Sequence, residues 1–120
     1  MTMTTTKTTI YHNPRCSKSR ETLALLQANA VDVTVVEYLK TPPTAAEIQT
    51  ILQQLGLTAR QLMRTKEDEY KAQNLADASL SEDQLIAAMV ATPKLIERPI
   101  VLANNKAAIG RPPENVLSIL

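Results

Sequence analysis

The segment His12-Asn13-Pro14-Arg15-Cys16-Ser17-Lys18-Ser19-Arg20 holds the chain's one cysteine, its one histidine and three cations within nine residues. A thiol where a loop enters a helix gains from the positive end of the helix dipole, from unpaired backbone N–H groups of the first turn and from neighbouring cations. Such a setting lowers a thiol pKa from about 8.5 towards roughly 3.5–7.5, and the thiolate is the nucleophile. The competing reading of Cys16 is a small buried apolar residue, for which a polar, cationic loop is a poor place. His12 can tune the thiolate or move protons, or can be a strand-end histidine bonded to backbone. Asn13 can turn its side-chain amide to the loop. Ser19 stands where a Cys-x-x-Cys redox motif would carry its second cysteine, so any disulfide of Cys16 must join another molecule and needs an outside thiol for release. A helix N-terminus also binds tetrahedral oxyanions. Arg64, Arg98 and Arg111 supply cations outside the loop. Each taken alone reads as a solvated surface arginine, and only a fold can bring them together.

The elements around this loop are punctuated clearly. Thr8 to His12 reads as a short strand that stops at Asn13-Pro14. Ser17 to Asn29 carries Leu23, Leu25 and Leu26 among polar residues and reads as an amphipathic helix with Ser17 as a credible N-cap. Val31 to Leu39 is the strongest strand signal. Strand, helix, strand makes a βαβ unit with parallel strands. After Thr41-Pro42-Pro43, Thr44 and Glu47 form a capping box, apolar residues follow at helical spacing, and Gly56 fits the C-terminal cap. Leu57 to Asn74 reads as shorter charge-rich helices with pairs such as Glu67–Lys71. Ser81 to Ala91 is a further helix, again opened by a Ser-x-x-Gln signal. Pro99 to Leu102 and Lys106 to Ile109 flank Asn104-Asn105, a tight hairpin turn. A last short helix follows Pro112-Pro113.

The order is βαβ, a helical middle, then ββα. It predicts an α/β protein with a thioredoxin-like fold: a four-stranded mixed sheet, flanking helices and a helical insert. Residues 1–6 read as a flexible N-terminal tail and 7–120 as one domain. In that fold Arg98 and Arg111 border elements that approach the cysteine loop, and a cis bond is plausible at Arg98–Pro99.

Composition narrows the function. Hydrophobic residues make up 44% and charged residues 21%, the proportions of a globular chain. Lys plus Arg number 13 and Asp plus Glu 12, so the net charge is +1. That balance argues against recruitment by nucleic acid or an anionic membrane. With three tyrosines and neither Phe nor Trp, the core is aliphatic and base stacking is not served. One cysteine and one histidine leave no common metal site. The Thr-rich start lacks an apolar stretch, so no signal peptide is expected, and no run of about 18 apolar residues exists. The expected location is the reducing cytoplasm, and the expected state a monomer.

These residues resemble a known family. Ile10 to Arg20 is similar to the active-site loop of the glutaredoxin-linked arsenate reductases, in the short bacterial branch with Asn-Pro-Arg-Cys-Ser-Lys-Ser. The likeness continues through Tyr38-Leu39-Lys40-Thr41-Pro42-Pro43-Thr44, Leu62-Met63-Arg64, Glu97-Arg98-Pro99-Ile100-Val101 and Gly110-Arg111-Pro112-Pro113-Glu114, nearly the whole chain. The resemblance implies that Cys16 attacks arsenate, that Arg64, Arg98 and Arg111 hold the oxyanion, that His12 favours the thiolate and that Ser19 is a loop hydroxyl beside it. It implies glutathione as co-substrate, glutaredoxin as partner and no bound cofactor. Arg15, Ser17 and Lys18 depart from the smaller or neutral residues at most of these places in well-established arsenate reductases; the added cations can tighten anion binding or redirect it. Two other readings stay open: a monothiol redox protein acting on glutathionylated partners, and a thioredoxin-fold regulator that binds RNA polymerase. Regulators of that kind usually carry a second cysteine where this chain has Ser19.

Overall fold

A computed structural model describes residues 7–29 and 32–120. The expected tail at residues 1–6, and Val31 at the start of the expected second strand, lie outside the described residues. The chain groups into two compact units. One contains the chain up to Tyr38 together with Arg98–Leu120, and the other is Leu39–Glu97.

The first unit is built on β1 (Lys7–Tyr11), α1 (Ser17–Ala28), β2 (Asp32–Val36), β3 (Ile100–Ala103) and β4 (Lys106–Ile109). Sheet order is β2-β1-β3-β4. β1 pairs β2 in parallel, with Tyr11 opposite Val36, and β3 antiparallel, with Tyr11 opposite Ile100. β3 and β4 pair antiparallel, Ile100 against Ile109. This is the mixed sheet of the thioredoxin-like fold, in the predicted order.

Local chemistry explains the elements. Asn104 and Asn105 take φ 53° and 60°, the left-handed pair that a two-residue type I′ hairpin demands. Asn104 also donates its side-chain amide to the Ile119 carbonyl at 2.8 Å. The second strand is shorter than the valine-rich run Val31 to Leu39 predicts and ends at Val36. Its partner β1 ends at Tyr11, and the last bond of that edge runs from His12 N–H to Val36 C=O at 2.8 Å. As an outer strand it also leaves Val35 44% exposed. The chain's end is a 3-10 helix, Pro113–Ile119. Its Val116 and Ile119 share a core with Ile10, Leu26, Val101 and Ala103. α1 and this helix therefore cover the same sheet face.

The second unit holds α2 (Ala45–Leu55), α3 (Ala59–Leu62), α4 (Asp68–Ala72), α5 (Glu82–Ala91) and a 3-10 turn at Pro93–Leu95. The predicted capping boxes at Thr44/Glu47 and Ser81/Gln84 are present, and Thr58/Gln61 forms another. Gly56 ends α2 at φ 69°. Glu67 precedes α4 and pairs with Arg64 at 2.6 Å and Lys94 at 3.7 Å, where the sequence pointed to Lys71. The physical reason is the bend before α4, which turns Glu67 out of the helical i,i+4 row. No helix among the described residues is long and apolar enough to cross a membrane.

Candidate active site

Sheet register brings the site together. Extended one step beyond the ladders, the parallel pairing sets Glu37 beside His12, and the antiparallel pairings set Pro99 beside both His12 and Gly110. Beyond the ladder, Arg111 Nε donates to the Arg98 carbonyl at 2.8 Å, which joins the two arginines. The Gly110 N–H donates to the Pro99 carbonyl at 2.9 Å, which continues the hairpin ladder. The Arg98–Pro99 bond is cis, as predicted from the sequence, and so is Arg111–Pro112.

The loop is held by its own side chains. The Asn13 Oδ1 accepts the Arg15 N–H at 3.0 Å, and the Asn13 carbonyl accepts the Cys16 N–H at 3.0 Å. Arg20 Nη1 donates to the Pro14 carbonyl at 3.0 Å. These bonds place Cys16 at φ −96°, ψ 123°, so Cys16 is the N-cap of α1 and Ser17, the cap expected from sequence, is its first helical residue. The turn closed by Asn13 is what moves the cap back by one. No side chain caps this helix, which leaves first-turn N–H groups for the sulfur.

Cys16 is 8% exposed, yet its sulfur faces donors. Burial pushes the thiol pKa up. The Ser19 N–H, the Arg98 charge, the Lys18 N–H and the Arg111 charge together outweigh burial and hold it below the ordinary thiol value. Arg111 Nη2 lies 3.6 Å from Cys16 Sγ, and its Nε donates to the Arg98 carbonyl at 2.8 Å. One arginine's backbone thus aims the other's guanidinium.

His12 is 6% exposed and Ser19 is fully buried. Ser19 Oγ accepts the Asn13 N–H at 3.0 Å and lies 2.6 Å from His12 Nδ1. The fully buried hydroxyl needs an acceptor for its one proton, so that proton is assigned to Nδ1 and the ring proton to Nε2. Burial holds His12 below the ordinary histidine pKa. The Glu37 carboxylate opposes that shift, and Arg20 reinforces it.

The structure therefore gathers Cys16, His12, Asn13, Ser19, Arg98 and Arg111 in the first unit. Arg64 belongs to the second, where it pairs with Glu67 and its N–H donates to the Leu95 carbonyl at 2.7 Å. Sequence reasoning passed over Glu37 and Gly110. Glu37 was legible from the parallel register, one residue past the strand. A Cβ on Gly110 would strike Thr22 Oγ1 and come within 2.8 Å of Pro99 Cγ, so glycine is what lets the arginine turn approach α1.

The ArsC family model matches residues 11–119. An arsenate reductase of Neisseria meningitidis is 51% identical over 92% of this chain and 96% of that protein. The uncharacterised Escherichia coli protein YfgD is 65% identical over 92% of this chain and 94% of that protein. The solved structure of an arsenate reductase from Vibrio cholerae superposes with a TM-score of 0.95, at 54% identity, over 98% of this chain and all of that one. The chain belongs to the ArsC family, the family of the arsenate reductases.

Proposed function

We propose that this protein reduces arsenate to arsenite in the reducing cytoplasm, with the Cys16 thiolate as nucleophile and glutathione and glutaredoxin supplying the other thiols. The observation that carries the reading is the sulfur of Cys16 set against the Arg111 guanidinium at 3.6 Å, at an uncapped helix start. Groups that stabilise a thiolate there also neutralise an incoming oxyanion. Arg98 and Arg111 are the cations for it in this unit. Arg64 joins them through the family resemblance.

The thiolate attacks arsenic, an S–As bond forms, and one arsenate oxygen leaves as water after taking protons. A glutathione thiolate then attacks the Cys16 sulfur. An S–S bond forms, the S–As bond breaks, and its electron pair stays on arsenic, which leaves as arsenite. The two thiols have supplied the two electrons, and Cys16 carries a mixed disulfide. Glutaredoxin exchanges that disulfide and restores the thiolate. His12 is a positioning residue in this scheme. It acts through Ser19, whose own N–H faces the sulfur. Asn13 likewise shapes the loop.

A coupled assay with arsenate, glutathione, glutaredoxin and NADPH tests the proposal. Turnover is expected from the native chain and none from Cys16→Ser. NADPH consumption without arsenate, on a glutathionylated partner, would move the monothiol redox reading ahead. Inactivity in both assays would overturn the enzyme reading and favour a regulator.

A further inference from the structure

The chain has one cysteine, so the thiol that clears Cys16 comes from outside and must be seated beside it. A groove of about 430 Å³ is lined by Lys18, Glu21, Leu25, Pro112, Pro113 and Glu114. Two of these residues adjoin the groups that touch the sulfur. Lys18 gives it a backbone N–H, and Pro112 follows Arg111. From Lys18 to Leu25 the groove follows α1 for roughly 10 Å at 1.5 Å per residue, the length of about three extended residues. Its apolar lining comes from Leu25 and the two prolines, and its polar lining carries charges of both signs. Lys18 and Glu21 face each other at 3.5 Å and are about half exposed, a pair that a ligand can exchange at little cost. Glu114, also in the lining, stands in the first turn of the 3-10 helix.

We propose that this groove is the subsite for the thiol co-substrate and takes a zwitterionic peptide thiol of the glutathione type, with Lys18 holding a carboxylate and Glu114 the α-ammonium. The inference rests on the proposed thiol chemistry of Cys16 but not on arsenate. It gives a role to Lys18, one of the loop's departures from the family pattern.

The test measures how fast Cys16 exchanges with three disulfides: oxidised glutathione, the anionic 3,3′-dithiodipropionate and the neutral 2-hydroxyethyl disulfide. In each case the thiolate attacks one sulfur, a new S–S bond forms, and the other half leaves as thiolate. Each rate is normalised to iodoacetamide alkylation at the same pH, which removes changes in thiolate population. Glu114→Gln removes a negative charge. Through the general field alone it would speed attack on both anionic disulfides. Through a lost ammonium partner it should slow oxidised glutathione roughly two- to fivefold, while dithiodipropionate is unchanged or faster. Lys18→Ala should slow oxidised glutathione and leave the neutral disulfide within twofold. Parallel changes across the three probes, or no change with oxidised glutathione, would overturn the groove. Selectivity retained alongside an inactive arsenate assay would sink the arsenate reading and keep the groove.

Discussion

Cys16 is buried and its thiol is still held below the ordinary value, because N–H donors and two arginines face its sulfur. The balance is between burial, which raises the pKa, and two N–H groups with two arginines, which lower it further. Iodoacetamide alkylation against pH should therefore show an inflection below that of a free thiol. Arg98→Ala should move the inflection upward, since Arg98 is the larger of the two charge effects. An inflection at the free-thiol value in the native chain would defeat the activated nucleophile. His12 takes its proton at lower pH than a surface histidine does, because burial disfavours the charged ring. Its ring should stay neutral at pH 7 and protonate below about 6.5, as its NMR shifts would report. Glu37→Gln should lower its pKa further, because that carboxylate opposes the shift. Between the folded value and about 6.5 the unfolded chain binds more protons, so stability should fall as pH drops through that window. Ser19→Ala removes the hydroxyl from His12 Nδ1 and from the Asn13 N–H. Leaving such buried groups unpaired costs about 1–3 kcal/mol, readable as a lower urea midpoint.

At the scale of elements, the hairpin fixes the site. Its two-residue turn pairs Ile100 with Ile109, and beyond that pair the Gly110 N–H bonds the Pro99 carbonyl and Arg111 Nε the Arg98 carbonyl. The turn was legible because Asn104-Asn105 sits between two apolar runs, and the approach of Arg98 and Arg111 to the cysteine loop was legible only through the fold as a whole. Asn105→Gly should stabilise the turn or leave it unchanged, since φ 60° suits glycine. Asn104→Gly should cost more, because it also loses the bond to the Ile119 carbonyl. Gly110→Ala tests the approach of the arginine turn to α1. Overpacking there should cost roughly 1–3 kcal/mol in urea unfolding. Thr22→Ala in the same chain should recover part of it, as Thr22 supplies two of the atoms the new methyl would meet. The capping boxes and the βαβ unit were likewise legible, being local signals. What was not legible depends on how separate elements meet. The β2 valines look like a core strand, but their place at the sheet edge leaves them half covered. The bond between Ser19 and His12 links a helix to a strand end, and the Thr22–Gly110 approach spans most of the chain. Neither has a spacing rule that announces it.

Across the whole molecule the charges nearly cancel, at 13 basic and 12 acidic residues. A net charge of +1 gives little long-range steering, so the attraction of an anion to Cys16 must come from charges within about one Debye length, ~10 Å at 0.1 M salt. Those charges are Arg98 and Arg111 beside the sulfur, with Arg15, Lys18 and Arg20 on the loop. Lys18 is partly offset by Glu21, and Arg20 is anchored to the Pro14 carbonyl. The prediction is that Cys16 prefers anionic reagents although the chain as a whole does not. Iodoacetate and iodoacetamide offer nearly the same carbon to the thiolate and differ in charge. Their rate ratio should exceed that of free glutathione at low salt and fall towards it as salt rises. Arg111→Ala should lower the ratio at low salt and flatten the dependence. A charge reversal at the turn end of the same sheet, such as Lys106→Glu, should leave the ratio unchanged. If the ratio tracks total charge and responds equally to both variants, the oxyanion preference is a property of the whole surface, and the arginines beside Cys16 do not form a site.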